Sequence, residues 1–270
     1  MGKITATILT FNEEKRIRAC LDSLRDIADE IIVVDSFSTD RTLDICRSYG
    51  CRVTQRRLAG YGAQRQYATS LASYSYVLAI DADEVLSPAL RQSLISLKSH
   101  PFEHRVYAFS RLNFFCGQPV KRCGWYPDLQ IRLFDRRYAN WNLRDVSEKV
   151  IFRDTVRPSI VDGDILHYRC STPEEFNTTE LHHASIRARV LATRCSSIGP
   201  LRPLYEGIKD YVRCMVMQGA WLDGTAGRTI AKSRFRSTLL AHRVARRLII
   251  SSRTQSDSPS LPLNEDNSAD

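Results

Sequence analysis

YVLAIDADEVLSP, residues 76–88, is the stretch whose reading decides the fold. Residues 76–80 form an apolar run of strand length that ends on Asp81, Asp83 and Glu84. Ser87 and Pro88 then make a helix start, a capping hydroxyl followed by a first-turn proline, with ALRQSLISLK as the helix. A buried strand followed closely by a helix is one β–α unit. The three carboxylates at its junction repel one another unless water, hydrogen bonds or a cation neutralises them. A site is therefore sought at that junction.

The same unit recurs upstream. KITATILTF (3–11) and EIIVVDS (30–36) read as buried strands and RVTQRR as a short one, with EEKRIRACLDSLRDI, STDRTLDICRSYG and YGAQRQYATSLAS as helices. The second of these helices starts on a Ser/Thr cap with Asp40 in its first turn and stops at Gly50. Repeated units of this size predict an α/β fold, a mostly parallel sheet with helices on both faces. After Pro101 the texture changes: RVYAFSRLNFF, DLQIRLFDRR, EKVIFR and SIVDGDILHYR read as strands with no long helix between them. From Pro173 the pattern is helical, over 173–197, 203–218 and 228–250, and the polar, Pro/Ser-rich residues 251–270 are expected to be disordered.

The 270 residues, 43% apolar and 26% charged, suit one large globular domain, alone or with a smaller appendage. Eight cysteines (20, 46, 51, 116, 123, 170, 195, 214) are scattered without a CxxC pair, so nothing in the spacing argues for zinc. Lys3 and Ile4 lead directly into the first strand, which predicts no export signal and free thiols in a reducing cytosol. No apolar run approaches the ~20 residues of a membrane-spanning helix. The net charge of +9 is uneven: residues 225–253 carry eight Lys/Arg and no acid, a stretch that attracts phosphate of nucleic acid or of anionic lipid.

In open α/β sheets ligands bind at the carboxyl ends of the strands. Here Thr10 with Asn12-Glu13-Glu14, then Asp35, then Asp81-Ala82-Asp83 stand at three such ends. Residues i and i+2 of an extended segment point the same way, so Asp81 and Asp83 can face one ligand. Two hard oxygen donors suit Mg2+ or Mn2+ shared with substrate phosphates. The plainer alternative places Asp83 and Glu84 near the start of the next helix, where its dipole favours anions.

With these residues in view, ATILTFNEE, EIIVVDSFSTDRT, GYGAQRQYA and YVLAIDADE resemble the nucleotide-sugar motifs of family 2 glycosyltransferases with the GT-A fold. DLQIRLFDRR, VSEKV, LHYRCSTPEEF and GAWLDGTAGRTIA extend the resemblance to the bacterial subgroup that builds the lipopolysaccharide core and related envelope glycans. The resemblance covers roughly residues 3–250. It implies a Rossmann-like GT-A domain at 1–170, with a nucleotide-binding half at 1–100 and an acceptor-side half at 101–170. A basic helical extension at 171–250 and the tail at 251–270 complete the layout.

By the same resemblance, Asp35 would accept the N3–H of uracil, and Thr10, Phe11, Asn12 and Glu13 would frame base and ribose. Asp81 and Ala82 would lie by the ribose, Asp83 would hold Mg2+ or Mn2+, and Arg65 would approach the donor phosphates. Gln130 and Arg132, on one face of a strand, would line the donor or acceptor side. His167 would be a further metal contact or an acceptor contact, although a lone His is more often a satisfied structural residue. For Asp35 the alternative is a turn residue, for Arg65 a solvated helix residue, for Gln130 and Arg132 a solvated strand face, and for Glu148 an exposed residue at a strand start.

An inverting transfer needs a carboxylate to take the acceptor hydroxyl proton. The subgroup carries Val-His-Glu at this point. This chain has Val146-Ser147-Glu148, which leaves Glu148 as the expected base, Asp145 as the runner-up, and the orientation of the base open.

Two other readings compete. DADEV fits the Asp-x-Asp-x-Val of haloacid dehalogenase phosphatases, but that family carries it on the first strand. A non-enzymatic basic module for membrane or nucleic acid would explain residues 225–253 and leave the strand-end acids unexplained. The expected function is therefore transfer of a sugar, glucose by resemblance, from a UDP-sugar to a glycolipid or oligosaccharide acceptor. No nucleic-acid partner is expected. The expected location is the cytoplasm, at the inner face of the cytoplasmic membrane, with the basic helices against anionic lipid.

Overall fold

A computed structural model of the protein describes residues 2–143, 148–152 and 157–256. The chain divides into two compact units between Ser171 and Thr172. In the first, the alternation read from sequence is present: β1 (Ile4–Thr10), α1 (Ile17–Leu24), β2 (Glu30–Asp35), α2 (Thr42–Ser48), β3 (Arg52–Gln55), α3 (Tyr61–Ser70) and β4 (Tyr76–Asp81). A three-residue strand that the sequence did not reveal, β5 (Glu84–Leu86), precedes α4 (Pro88–Lys98). The strands β6 (Val106–Phe115), β7 (Gln118–Val120), β8 (Asp128–Asp135), β9 (Ala139–Trp141), β10 (Val150–Phe152) and β11 (Ser159–Cys170) follow.

The main sheet runs β3-β2-β1-β4-β8-β6-β11-β5, with β7 on β6. Its β3-β2-β1-β4 half is parallel, whereas β8 is antiparallel to both β4 and β6. Strand periodicity sorts the two faces. Ile4, Ala6, Ile8, Leu78 and Ile80 pack with α1, α2 and α4 on one side. Ile32, Val34, Val77 and Ala79 pack with Ala68 of α3 and with Ala72 just after it on the other. Covering both faces leaves the carboxyl ends of β1, β2 and β4 as the open rim.

Local signals account for the helix ends. Ser87 Oγ accepts from Leu90 N at 3.2 Å, with Pro88 in the first turn, as read. Helix α2 begins at Thr42, so Asp40 stands before it rather than in its first turn, accepting from Thr42 N through Oδ1 at 3.0 Å, and Gly50 has φ +73°, a left-handed stop.

The second unit is helical: α5 (Pro173–Arg194), α6 (Arg202–Val212) and α7 (Gly224–Ser256). Between the last two lie a π turn at Arg213–Met217 and a 3-10 turn at Ala220–Asp223. Helix α7 is its spine, burying Ile230, Ala231, Ala241 and Ala245 against its neighbours. It extends to Ser256, six residues past the helix end read from sequence at 250. Residues 257–270 of the expected tail lie outside the described residues.

Candidate active site

The loops after β1 and β2 are stitched together. Asn12, with φ +56°, donates its N–H to Ser38 Oγ at 2.8 Å and accepts from Thr39 N through Oδ1 at 2.8 Å. Glu13 N donates to Thr42 Oγ1 at 2.8 Å. Beneath them Asp35 is fully buried. Its Oδ1 accepts from Thr10 Oγ1 at 3.0 Å and from the Ser38 hydroxyl, and its Oδ2 accepts from Ser38 N at 2.8 Å and Gln55 Nε2 at 3.2 Å. Four donors fill the lone-pair sites of one carboxylate. Phe11, by contrast, is 58% exposed at the mouth of this loop pair.

At the end of β4 the acids meet arginines. Asp81 Oδ1 accepts from Arg65 Nη2 at 2.7 Å and Oδ2 from Arg132 Nη2 at 3.0 Å. Glu84, fully buried, accepts from Arg132 Nη2 at 2.8 Å and from Asp81 N at 2.9 Å. Arg111 Nη1 reaches the same Glu84 at 3.3 Å, and its Nε donates to Asp128 at 2.8 Å. Arg65 Nε donates to Glu148 Oε1 at 2.9 Å, and its guanidinium lies over the Trp141 ring at 4.7 Å. Burial pushes the Asp81 carboxyl up, but Arg65 and Arg132 outweigh it and hold the group well below its ordinary 3.8. Burial likewise works against the charge of Arg132, and Glu84 and Asp81 outweigh it, so its pKa is raised.

The third feature is a pair. His167 Nε2 stands 3.2 Å from Asp83 Oδ2. Asn113 Nδ2 donates to Trp125 O at 3.2 Å, so its Oδ1 faces the ring and accepts from His167 Nδ1 at 2.6 Å. With Nδ1 bearing the proton, a neutral ring points its Nε2 lone pair at a carboxylate oxygen. Two such groups repel unless a proton or a cation stands between them. A carboxylate and a histidine whose other nitrogen is fixed by an outer hydrogen bond are the donor set of a divalent-cation site. Among the described residues no cluster of three or more His, Cys, Asp or Glu could hold a metal, so other ligands would have to come from a substrate. Neighbouring strands bring the pair together: β5 is antiparallel to β11 with Glu84 opposite His167, and Tyr168 N donates to Asp83 O at 3.0 Å.

The structure thus gathers Arg65, Asp81, Arg132 and Glu148 into one network, with Asp83 and His167 beside it. Gln130 is not part of that contact among the described residues: its Nε2 is bound to Asp128 Oδ1 at 2.6 Å, and Asp128 in turn accepts from Arg111. Ala82 is buried in the core under α1. Asp145 and Ser147 lie outside the described residues. Sequence reasoning missed Glu84 as a network member, together with Arg111, Asn113 and Ser38. An Arg and an Asn two apart inside the otherwise apolar RLNFF was the available signal for the β6 pair.

The profile of Glycosyl transferase family 2 matches residues 5–144. An uncharacterised glycosyltransferase of Rickettsia felis is 44% identical over 236 residues, 84% of this chain and 83% of that protein. The chain belongs to the family 2 glycosyltransferases, enzymes that take their sugar from a nucleotide sugar. The lipopolysaccharide core biosynthesis glycosyltransferase LpsC of Rhizobium meliloti is 28% identical over 195 residues, 68% of this chain and 70% of that protein. A solved glucosyl-3-phosphoglycerate synthase of Mycobacterium tuberculosis, in complex with Mn2+ and UDP, is 24% identical over 42% of this chain and 44% of that one, with a TM-score of 0.35. That likeness is too low to place its ligands here. With the family established, the phosphatase and binding-module readings fall away.

Proposed function

We propose that the protein is an inverting transferase that moves a sugar, glucose by resemblance, from a UDP-sugar to a lipopolysaccharide core or related envelope glycan. The reading rests above all on the Asp83–His167 pair, two cation ligands facing each other at 3.2 Å. Asp83 and His167 would hold Mg2+ or Mn2+, which supplies neutralisation of the charge developing on the departing diphosphate. Arg132 adds a guanidinium whose buried Nε has no partner among the described residues, a donor available to that anion. Asp35 takes the uracil N3–H in place of the Ser38 hydroxyl, whose loop stands at the rim. Glu148 accepts the proton of the acceptor hydroxyl as its oxygen bonds to C1 and the bond from C1 to the diphosphate breaks. Arg65 orients that carboxylate, a task that Ser147 leaves without a histidine. The relation to LpsC supports the acceptor class.

Calorimetric titration of a panel of nucleotide sugars, with Mn2+ and with chelator, tests this. One uridine diphosphate sugar should bind in the presence of Mn2+ and weaken at least ~10-fold with chelator, with Asp83→Ala and with His167→Ala. Uridine nucleotide binding indifferent to all three, or no binding at all, sinks the assignment.

A further inference from the structure

Helix α6 turns its small residues inward and its large apolar ones outward. Pro203 and Gly207 are buried, and a Cβ on Gly207 would stand 3.1 Å from the Phe235 ring of α7. Leu204, Ile208 and Val212 are exposed at spacings of four, so they lie along one stripe. Leu201, 77% exposed, stands just before the helix, and Met217, 80% exposed, and Trp221 are exposed in the turns after it. At ~100° per residue, Arg202, Lys209 and Arg213 fall together on one flank of the stripe, where Glu206 pairs with Lys209 and lies 3.8 Å from Arg202, leaving the flank net basic. An exposed apolar stripe of this length with a net basic flank marks an interaction surface.

We propose that this face of α6 and the turn after it docks on an anionic lipid bilayer, the helix lying in the interfacial plane with its apolar stripe at the acyl boundary. Charge selects the occupant. Residues 172–256 carry fourteen Lys and Arg against six Asp and Glu, so an anionic surface is attracted. A second copy would bring two such units together against their own repulsion. Tyr205 and Trp221, both exposed, have the amphipathic rings that settle at headgroup level. No described helix is long and apolar enough to cross a membrane, and a stripe on one face requires only that the helix lie flat. Helix α7 exposes Leu248 and Ile250 but buries Ile230, Ala231, Ala241, Ala245 and Ile249, so among the basic helices the lipid face falls to α6. The inference stands apart from the donor and the acceptor.

The test is co-sedimentation of the full chain with vesicles of phosphatidylcholine alone or mixed with phosphatidylglycerol, with light scattering of the protein alone. Binding should require the anionic lipid, weaken with added salt, and fall at least ~10-fold when Leu204, Ile208 and Met217 are changed together to Ser. Because these side chains are exposed, thermal unfolding should not move, and Ile160→Ser, exposed on β11, should leave binding unchanged. Equal binding to both vesicle types, binding kept by the triple variant, or no binding by the intact chain overturns the proposal. A dimer dispersed by the triple variant, without vesicle binding, assigns the face to a second copy instead.

Discussion

Arg65 holds two carboxylates, Asp81 at 2.7 Å and Glu148 at 2.9 Å, and is itself buried against Trp141. Lysine cannot reproduce that fork, because an ammonium is a point charge without two fixed donor edges. Arg65→Met leaves Glu148 without this partner and Asp81 with one guanidinium, a loss of about 3–5 kcal/mol for a broken buried pair. A urea unfolding midpoint checks it. Sugar transfer should fall by ~100-fold in kcat with a smaller change in donor KM, and Arg65→Lys should recover part of it. Asp81 supplies the pH signature. Its folded pKa is depressed, so its stabilisation is present above the unfolded value of 3.8 and is lost as pH falls through the folded value. The wild type should therefore keep this contribution in mild acid. Arg65→Met, with Asp81 released upward, should unfold at a higher pH in an acid titration followed by circular dichroism. An unchanged acid midpoint would show that Arg132 alone holds Asp81.

At the scale of elements, β5 shows why part of the site was hidden. The apolar runs of β1, β2 and β4 and the cap of α4 are local signals, and each was legible. Glu84–Leu86 is a strand only because Ile165–His167 pairs with it some eighty residues later, and no local periodicity records such a partner. The strand-end acids could therefore be found from sequence, and His167, Arg65 and Arg132 named as candidates, but not that His167 faces Asp83 or that the two arginines neutralise Asp81 and Glu84. Gln130 and Arg132 share a strand face in the pattern, yet Asp128 captures the first and Asp81 with Glu84 the second. The β11 side of this junction depends on Gly163, which sits at an irregularity in the pairing with β6, with φ +103°. A Cβ there would stand 2.3 Å from Leu90 N, at the start of α4. Around it Ser87 N donates to Asp164 O at 3.0 Å and Asp164 N to Ser87 Oγ at 3.1 Å. Gly163→Ala should cost about 2–4 kcal/mol, read from chemical denaturation, through both backbone strain and the clash. Because His167 lies four residues further along the same strand, the variant should also bind Mn2+ more weakly; wild-type affinity would separate the bulge from the site.

At the scale of the whole molecule, the proposed donor site and the proposed lipid face lie in different units of one chain, within Met1–Ser171 and Thr172–Asp270. Each ligand should therefore protect its own set of amides, whatever the other is doing. Hydrogen exchange of the full chain with a UDP-sugar and Mn2+ should slow at 10–13, 35–38, 81–84 and 165–168, where the loops and strand ends carry the site. Donor at ~100 times its dissociation constant contributes about 2.7 kcal/mol, enough to slow exchange of amides that open with the unit roughly a hundredfold. Anionic vesicles should slow exchange instead at 201–222. If vesicles protect 81–84 and 165–168 without any nucleotide, the lipid itself is entering the site as acceptor, and the two footprints become one. If the UDP-sugar leaves 165–168 untouched while protecting 10–13 and 35–38, the nucleotide binds without His167, and Asp83 holds its cation by other means. Protection of both strand ends by donor, and of 201–222 by lipid alone, is the pattern expected of an enzyme whose chemistry and whose membrane attachment were built on separate elements.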